Sequence, residues 1–141
     1  MSRIYWDTNL FIYLLESHVK FGQRVREIRK AMVRRDDVLC TSVFTLGELL
    51  VGAHKAGDTV LASRIRDVIR APYVDVISFT PETADRYARI RADLKVKPID
   101  AIHLASAAQT QVDLFLTNDT ELHKLTVPGI DFVAGIDVNL F

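Results

Sequence analysis

The chain has 141 residues with 18 basic and 18 acidic side chains, so its formal net charge at pH 7 is zero. This length fits one domain with a substantial core, and the charge balance excludes a uniformly basic nucleic-acid coat. The one cysteine, Cys40, lies in an apolar run, which favours a buried, unpaired thiol in a reducing compartment. No signal-peptide pattern and no apolar run of about 18 residues is present, so we expect a soluble, cytoplasmic protein.

Short apolar strands alternate with helical patterns along the chain. An amphipathic helix is predicted over residues 20–35, where four apolar residues are spaced by four, three and four. Thr80-Pro81-Glu82 signals a helix through residue 94, and Pro98 begins an Ala-rich helix. The alternation predicts an α/β fold of three layers, α/β/α, around a mainly parallel sheet of four or five strands. The predicted strands are residues 4–6, 38–41, 74–78, 114–117 and, weakly, 131–134.

Acidic residues lie at or just beyond the junctions between these strands and helices. Asp7 and Asp119 each follow an apolar strand within a short polar segment. Because the carboxyl ends of parallel strands meet at one edge of a sheet, such side chains can converge there. Glu48 and Asp100 each stand singly among apolar and small residues, and a buried charge needs a partner. Hard cations prefer oxygen ligands, so the four acids together predict a metal site.

Each acid taken alone also has a simpler explanation. Asp7 and Asp119 could be helix N-caps, and singly the cap is the better explanation for either residue. Glu48 could be an ordinary exposed helix residue, and Asp100 a favourable charge near a positive helix end. The apolar neighbours of Glu48 and Asp100 speak against a solvated helix face for these two.

Four segments of the chain, in this order, resemble the motifs of the PIN-domain nucleases, and within them the VapC-type toxins of bacterial and archaeal toxin–antitoxin pairs. Residues 5–12 resemble the first motif, an apolar strand followed by D-T-N and an apolar helix. Residues 45–52, 99–105 and 116–119 are similar to the second, third and fourth motifs. One triplet is weak support, whereas four motifs in order extend across the chain. Trp6 departs from the pattern, because the family usually has a smaller aliphatic residue there.

The resemblance implies a single PIN domain over residues 1–141 and a metal-dependent endoribonuclease whose products carry 5′-phosphate and 3′-hydroxyl ends. It implies one or two Mg²⁺ or Mn²⁺ ions, an RNA substrate, a small VapB-type antitoxin and a homodimer. The apolar run over residues 10–15 covers every side of a short helix, so part of it should face a partner. By resemblance, the catalytic and metal-binding carboxylates are Asp7, Glu48, Asp100 and Asp119, and the supporting polar residues are Asn9 and Thr117.

Two other functions remain open from the sequence. A haloacid-dehalogenase-like phosphatase also begins with a strand ending in Asp, but it needs a second acid two residues later, where this chain has Asn9. A non-catalytic PIN-like binding module would use the fold only as a scaffold for protein partners. Retention of all four acids argues against such a module.

The histidine and arginine residues are weaker candidates than the acids for metal or phosphate binding. The four histidines lack a shared ligand spacing, and a carboxylate site for Mg²⁺ or Mn²⁺ does not need them. His103 lies one turn after Asp100 and could approach the acids, but a packed or surface imidazole is the expected state. The basic stretch within residues 24–35 is interleaved with or followed by acids, which favours a solvated helix face over a phosphate site.

Overall fold

Five parallel strands form one sheet at the centre of the protein, whose computed structural model describes residues 1–70 and 72–141. The strands are β1 (Arg3–Trp6), β2 (Val38–Ser42), β3 (Asp75–Ile77), β4 (Val112–Leu116) and β5 (Ile130–Ala134). Their order across the sheet is β3-β2-β1-β4-β5, so the first strand of the chain lies in the middle. Parallel neighbours need crossover connections, and helices supply most of them.

Six α-helices among the described residues cover the two faces of the sheet. They are α1 (Thr8–Leu15), α2 (Gly22–Arg34), α3 (Val43–Lys55), α4 (Thr59–Val68), α5 (Pro81–Asp93) and α6 (Pro98–Gln109). Helices α1 to α4 pack with Ile4 and Trp6 of β1, whereas α5 and α6 pack with Tyr5 on the opposite face. Alternate side chains of a strand point to opposite faces, so β1 contributes to both layers. None of these helices has the length and apolarity that a membrane crossing requires.

The predicted α/β/α architecture is confirmed, and the sheet is parallel throughout. The largest difference in strand bounds is at β4, which begins two residues before the predicted range of 114–117. The sequence concealed this start because Asp113 interrupts the apolar run. Asp113 is exposed, and its Oδ2 accepts a hydrogen bond of 2.7 Å from the backbone N–H of Arg3, so its charge is compatible with the strand.

Two local predictions are confirmed in detail. Helix α5 begins at Pro81 with Thr80 as its N-cap, and a capping box joins Thr80 to Thr83. Cys40 is fully buried in the sheet. Burial raises the pKa of its thiol to about 11, so the residue serves as a small apolar side chain.

The apolar run over residues 10–15 lies in α1 and is covered mainly by the chain itself. Leu10 and Phe11 are completely buried. Residues 13–15 are partly buried against the same core. Ile12 is the most accessible member, with 36% of its surface exposed. A partner facing this helix would therefore meet a smaller apolar surface than the sequence suggested.

The basic side chains of α2 are largely exposed, as the sequence favoured, but two arginines also bind the chain after β5. Arg24 donates hydrogen bonds of 2.7 and 2.8 Å to the backbone carbonyls of Ile136 and Val138. Arg35 donates one of 2.7 Å to the carbonyl of Leu140. These two arginines hold the segment that follows β5 against α2, which makes them structural rather than phosphate-binding residues.

Gly129, just before β5, fits a position that tolerates no side chain. Its φ is +97°, and an added Cβ would lie 2.7 Å from the backbone oxygen of Ala108 at the end of α6. Gly57 also has a positive φ, of +63°, but a Cβ there meets no described atom within 4 Å. The two glycines therefore share backbone strain but differ in the space around them.

We expect Gly129→Ala to lower the free energy of unfolding by about 2–4 kcal/mol, because the backbone strain adds to the collision with α6. Gly57→Ala should cost only about 1 kcal/mol, which is the strain alone. Urea unfolding of both variants measures the difference. Equal losses in the two variants would show that the contact with Ala108 imposes no constraint.

Candidate active site

The four predicted acids lie at the carboxyl edge of the sheet. Asp7 directly follows β1, and Asp119 lies three residues beyond the end of β4. Glu48 lies in α3, which begins immediately after β2. Asp100 lies in the first turn of α6, whose chain runs back towards the start of β4, so this first turn faces the same edge. Since β2, β1 and β4 are neighbours, residues far apart in sequence meet there.

Asp7 is held on both of its carboxylate oxygens. It is buried, with 7% of its surface exposed. Oδ1 accepts a hydrogen bond of 2.8 Å from the backbone N–H of Thr8, and Oδ2 accepts one of 2.7 Å from Thr117 Oγ1. The helix N-cap explanation is therefore correct for Asp7, which caps α1. The cap does not exclude a place in the site, since each oxygen can accept more than one bond.

Thr117 connects the first motif to the last. Its hydroxyl, which donates to Asp7, accepts hydrogen bonds from Asn9 Nδ2 at 3.3 Å and from the backbone N–H of Asp119 at 3.1 Å. Asn9 Oδ1 in turn accepts the backbone N–H of Asn118 at 3.3 Å. The side chains of Asn9 and Thr117 thus fix the position of the 117–119 segment relative to β1. The carboxylate of Asp119 caps a short 3₁₀ turn, Thr120–Leu122, by accepting the N–H of Glu121.

Glu48 is anchored through one oxygen. Its Oε1 accepts a hydrogen bond of 2.7 Å from Thr8 Oγ1 and lies 2.6 Å from His103 Nε2. Burial by itself would raise the pKa of Glu48, but the hydrogen bonds with His103 and Thr8 outweigh it and lower the pKa. Glu48 is therefore ionised at neutral pH and is not an ordinary exposed helix residue.

His103 is the site residue whose contacts the sequence did not reveal. It is packed, as expected, with 1% of its surface exposed, and it also reaches the acids. Its Nε2 lies 3.7 Å from Asp7 Oδ1 as well as close to Glu48, and its Nδ1 lies 2.7 Å from Tyr5 Oη. The available signal was its spacing of three residues from Asp100, which places both on one face of α6.

The pKa of Asp100 shows that this carboxylate shares the field of Asp7 and Asp119. Burial raises the pKa, and the charges of Asp7 and Asp119 raise it further, against smaller lowering effects of His103 and Lys97. A lone charge at a positive helix end would not have two carboxylates acting on it. The effects of Asp7 and Asp119 therefore speak against the simpler explanation for Asp100.

Carboxylate oxygens are the ligands that a hard cation prefers, although the four carboxylates do not form a coordination sphere here. Within residues 1–70 and 72–141, no three His, Cys, Asp or Glu side chains stand close enough to hold a metal ion together. The mutual repulsion that raises the pKa of Asp100 opposes closer approach, and a divalent cation would relieve it. An oxygen-rich donor set of this kind fits Mg²⁺ or Mn²⁺.

A cavity of about 840 Å³ lies elsewhere on the surface. Its lining comes from α5, the end of α6 and residues 126–128, and none of the four acids contributes to it. The charges in the lining are mixed, with Arg86 and Arg89 near Asp85 and Asp93. This cavity takes no part in the site.

Comparison with known proteins places the chain in a family. The family model described as PIN domain matches residues 4–127. This match includes all four acids, from Asp7 after β1 to Asp119 before the 3₁₀ turn. The chain therefore belongs to the PIN domain family. No curated protein sequence matches the chain significantly.

Several solved structures share the fold at low sequence identity. VapBC2 from Rickettsia felis, bound to a DNA fragment from its promoter, has a TM-score of 0.75 at 15% identity, covering 94% of this chain and 98% of that one. DNA-bound VapBC from Salmonella typhimurium has a TM-score of 0.70 at 24% identity, covering 96% and 99%. The Sarcin-Ricin loop cleaving toxin VapC20 of Mycobacterium tuberculosis has a TM-score of 0.66 at 15% identity, covering 87% and 96%.

We expect Asp100→Asn to stabilise the metal-free protein at neutral pH, because the amide removes a carboxylate that ionises against its neighbours. The gain should be at most about 1 kcal/mol, or roughly 2–4 °C in Tm, since solvent screens a partly exposed group. The raised pKa sets the sign of the pH dependence: protonated Asp100 adds stability below its unfolded pKa, and this contribution is lost as pH rises through the folded pKa. The advantage of the variant should therefore appear above about pH 4 and vanish below it.

Thermal melts in EDTA across this pH range measure the effect. Asp131→Asn, on an exposed position of β5, is the matched control and should change stability by less than about 0.5 kcal/mol. Adding Mg²⁺ should raise the Tm of the wild type more than that of Asp100→Asn. A variant that is less stable in EDTA than the wild type would mean that Asp100 stabilises its helix and does not face the other acids.

Proposed function

We propose that this chain is a metal-dependent endoribonuclease and the toxin of a VapBC-type toxin–antitoxin pair. The observation that carries the proposal is the position of Asp7, Glu48, Asp100 and Asp119 at one edge of a PIN-domain sheet, where the charges of Asp7 and Asp119 act on Asp100. An RNA substrate is supported by the structurally similar toxin that cleaves the Sarcin-Ricin loop. RNA as substrate and the single buried Cys40 both favour the cytoplasm, which cell fractionation would test.

The four acids would hold one or two Mg²⁺ or Mn²⁺ ions. Asp7, Asp100 and Asp119 share one electrostatic field, and Glu48 adds a carboxylate that is already ionised. When bound, a divalent cation lowers the pKa of a coordinated water and offsets the charge that develops on a scissile phosphate. Asp119 either completes the ligand set or orients the water. Asn9 and Thr117 would support the site by fixing Asp7 and the 117–119 segment.

The reaction would be hydrolysis of an RNA phosphodiester. The water oxygen forms a bond to phosphorus, and the bond from phosphorus to the 3′ oxygen breaks. The 3′ oxygen leaves with a proton, so the products carry a 5′-phosphate and a 3′-hydroxyl. Because the chain has no net charge, attraction of RNA must come from a few local cations. The candidates are Lys95, Lys97 and Lys55, which lie close in sequence to the site motifs, and the charge of Lys97 acts on Asp100.

The two alternative functions make different use of the same residues. An aspartyl-phosphate enzyme would need an acid at position 9, but Asn9 instead bonds both Thr117 and Asn118. Its side chain is thus engaged in holding two segments together. A non-catalytic binding module would not need ionised Glu48 beside Asp7. The cleavage assay below distinguishes this module from the nuclease.

We expect Asp7→Asn to reduce Mg²⁺-dependent RNA cleavage by at least about 100-fold, which corresponds to about 2.7 kcal/mol of lost transition-state stabilisation. Asparagine retains an oxygen that can cap α1 but lacks the charge. The assay uses purified protein, a mixed single-stranded RNA and analysis of the product ends. Asp131→Asn should cleave like the wild type.

Three results would contradict the proposal. Cleavage that persists in excess EDTA would exclude a metal-dependent reaction. Equal rates for Asp7→Asn and the wild type would place the activity elsewhere. A wild type that binds its partner but cleaves no RNA would support the binding module.

We also propose a small VapB-type antitoxin and a homodimer as partners. The Rickettsia and Salmonella structures named above are VapBC complexes, which supports an antitoxin for this chain. The antitoxin tail would cover apolar surface near α1 and α2, where Ile12 is partly exposed. A basic side chain of the tail would enter the acidic site, replace the charge of a metal ion and block RNA.

Co-expression with the product of an adjacent small reading frame should yield a stable complex whose mass contains two copies of this chain. We expect Ile12→Glu to weaken the complex by about 10-fold or more, because it places a charge in a desolvated contact. Val60→Glu, at an exposed position of α4, should leave the affinity unchanged. Light scattering and titration calorimetry measure both. A chain that stays monomeric and binds no such product would contradict this assignment of partners.

A further inference from the structure

A buried line of hydrogen bonds runs from the centre of the sheet to Glu48. Tyr5 Oη lies 2.7 Å from His103 Nδ1, and His103 Nε2 lies 2.6 Å from Glu48 Oε1. Tyr5 has none of its surface exposed and His103 has 1%. Only the last member of the line, Glu48, reaches solvent, with a quarter of its side-chain surface exposed. The line thus joins β1, α6 and α3, which are far apart in the sequence.

The donor in the hydrogen bond between His103 and Glu48 follows from the chemistry of the two groups. Ionised Glu48 can only accept, so His103 Nε2 must carry the proton of that hydrogen bond. Tyr5 Oη and His103 Nδ1 share one proton across 2.7 Å, and either atom can donate it. In both cases the donor to Glu48 is the Nε2 proton of His103.

Aromatic packing fixes the imidazole ring in this orientation. Tyr5 stacks on Phe115 of β4 with ring centres 4.9 Å apart and planes 6° from parallel. The edge of Tyr5 meets His103 at 5.9 Å, and Phe44 at the start of α3 meets it at 6.0 Å. His103 is held between these rings, so its Nε2 cannot turn away from Glu48 without repacking the core.

We propose that Tyr5 and His103 are positioning residues that fix Glu48 through Oε1 and leave Oε2 as the oxygen available to a cation. This inference rests on the proposed metal-dependent function. The distance of 3.7 Å from His103 Nε2 to Asp7 Oδ1 is too long for a hydrogen bond, so the donor belongs to Glu48. Thr8 gives Oε1 its second hydrogen bond. Because Glu48 is already oriented before an ion binds, less side-chain entropy is lost when the ion binds.

The test compares two substitutions of His103 that differ in which ring nitrogen they imitate. The amide nitrogen of glutamine can reach the position of Nε2 and donate to Glu48, whereas asparagine reaches only the position of Nδ1. Asparagine can keep the hydrogen bond with Tyr5 and glutamine cannot, so a loss of Mn²⁺ affinity confined to asparagine does not come from the Tyr5 contact. Mn²⁺ binding to the full-length chain, measured by calorimetry, is the readout, because a merely structural role would affect both variants alike.

We expect His103→Asn to weaken Mn²⁺ binding by about 10-fold or more, and His103→Gln to stay within about threefold of the wild type. Tyr5→Phe keeps the ring stacking and removes only the hydroxyl, so it decides the question if the His103 variants do not fold. It should weaken Mn²⁺ binding by about threefold or more. Tyr87→Phe is its control, since that hydroxyl contacts Arg91 on the surface.

The outcomes separate this inference from the proposed function. If the wild type binds Mn²⁺ and Asp100→Asn does not, while folded His103→Asn and Tyr5→Phe bind like the wild type, the positioning role is overturned and the metal site stands. If His103→Gln loses affinity as much as His103→Asn, a donor at Nε2 is not what Glu48 requires, and the role is again overturned. If the wild type binds no Mn²⁺, both the metal-dependent function and the inference fail.

Discussion

The parallel pairing of β1 with β4 is the constraint on which the site depends. The backbone N–H of Asp7 donates to the carbonyl of Leu116 at 3.0 Å, one step beyond the last paired residues of the two strands. The hydroxyl of Thr117 then bonds the carboxylate of Asp7. Residues 110 positions apart are thereby held within hydrogen-bond distance at the centre of the sheet. A shift of this register would move the 117–119 segment, and Asp119 with it, away from Asp7.

Two carboxylates in this one crevice have pKa values displaced in opposite directions. Burial opposes ionisation of both Glu48 and Asp100. Glu48 overcomes this cost with two hydrogen-bond donors, whereas Asp100 faces two further carboxylates. Hydrogen-bond donors thus stabilise the charge of Glu48, whereas neighbouring negative charges oppose the charge of Asp100. A cation would be attracted most strongly to the negative charge that is least offset by donors. That charge lies in the space shared by Asp7, Asp100 and Asp119.

The sequence predicted the acids well because strand ends and helix starts leave local signals. Apolar strands ending in polar segments located Asp7 and Asp119, and Pro98 located the turn that carries Asp100. The line from Tyr5 through His103 to Glu48 left no such signal, since its members are separated by 98 and 55 positions. Hydrophobic periodicity reports which face of a helix is buried, and it does not report which polar atoms meet there. The same reason concealed the contacts of Arg24 with the residues after β5.

The caps and the candidate ligands are the same side chains, which explains why both descriptions of Asp7 and Asp119 hold. In each, one carboxylate oxygen accepts a hydrogen bond from a backbone N–H at the start of a helical turn. The negative charge of the same side chain lies at the edge of the sheet. Loss of an Asp cap to alanine costs about 0.5–2 kcal/mol, whereas asparagine caps about as well. Substitution by asparagine therefore removes the charge at these positions while it largely keeps the contribution of the cap to stability. An alanine variant that lost activity would leave open whether the fold or the site had failed, while an asparagine variant changes the charge at a nearly constant cap.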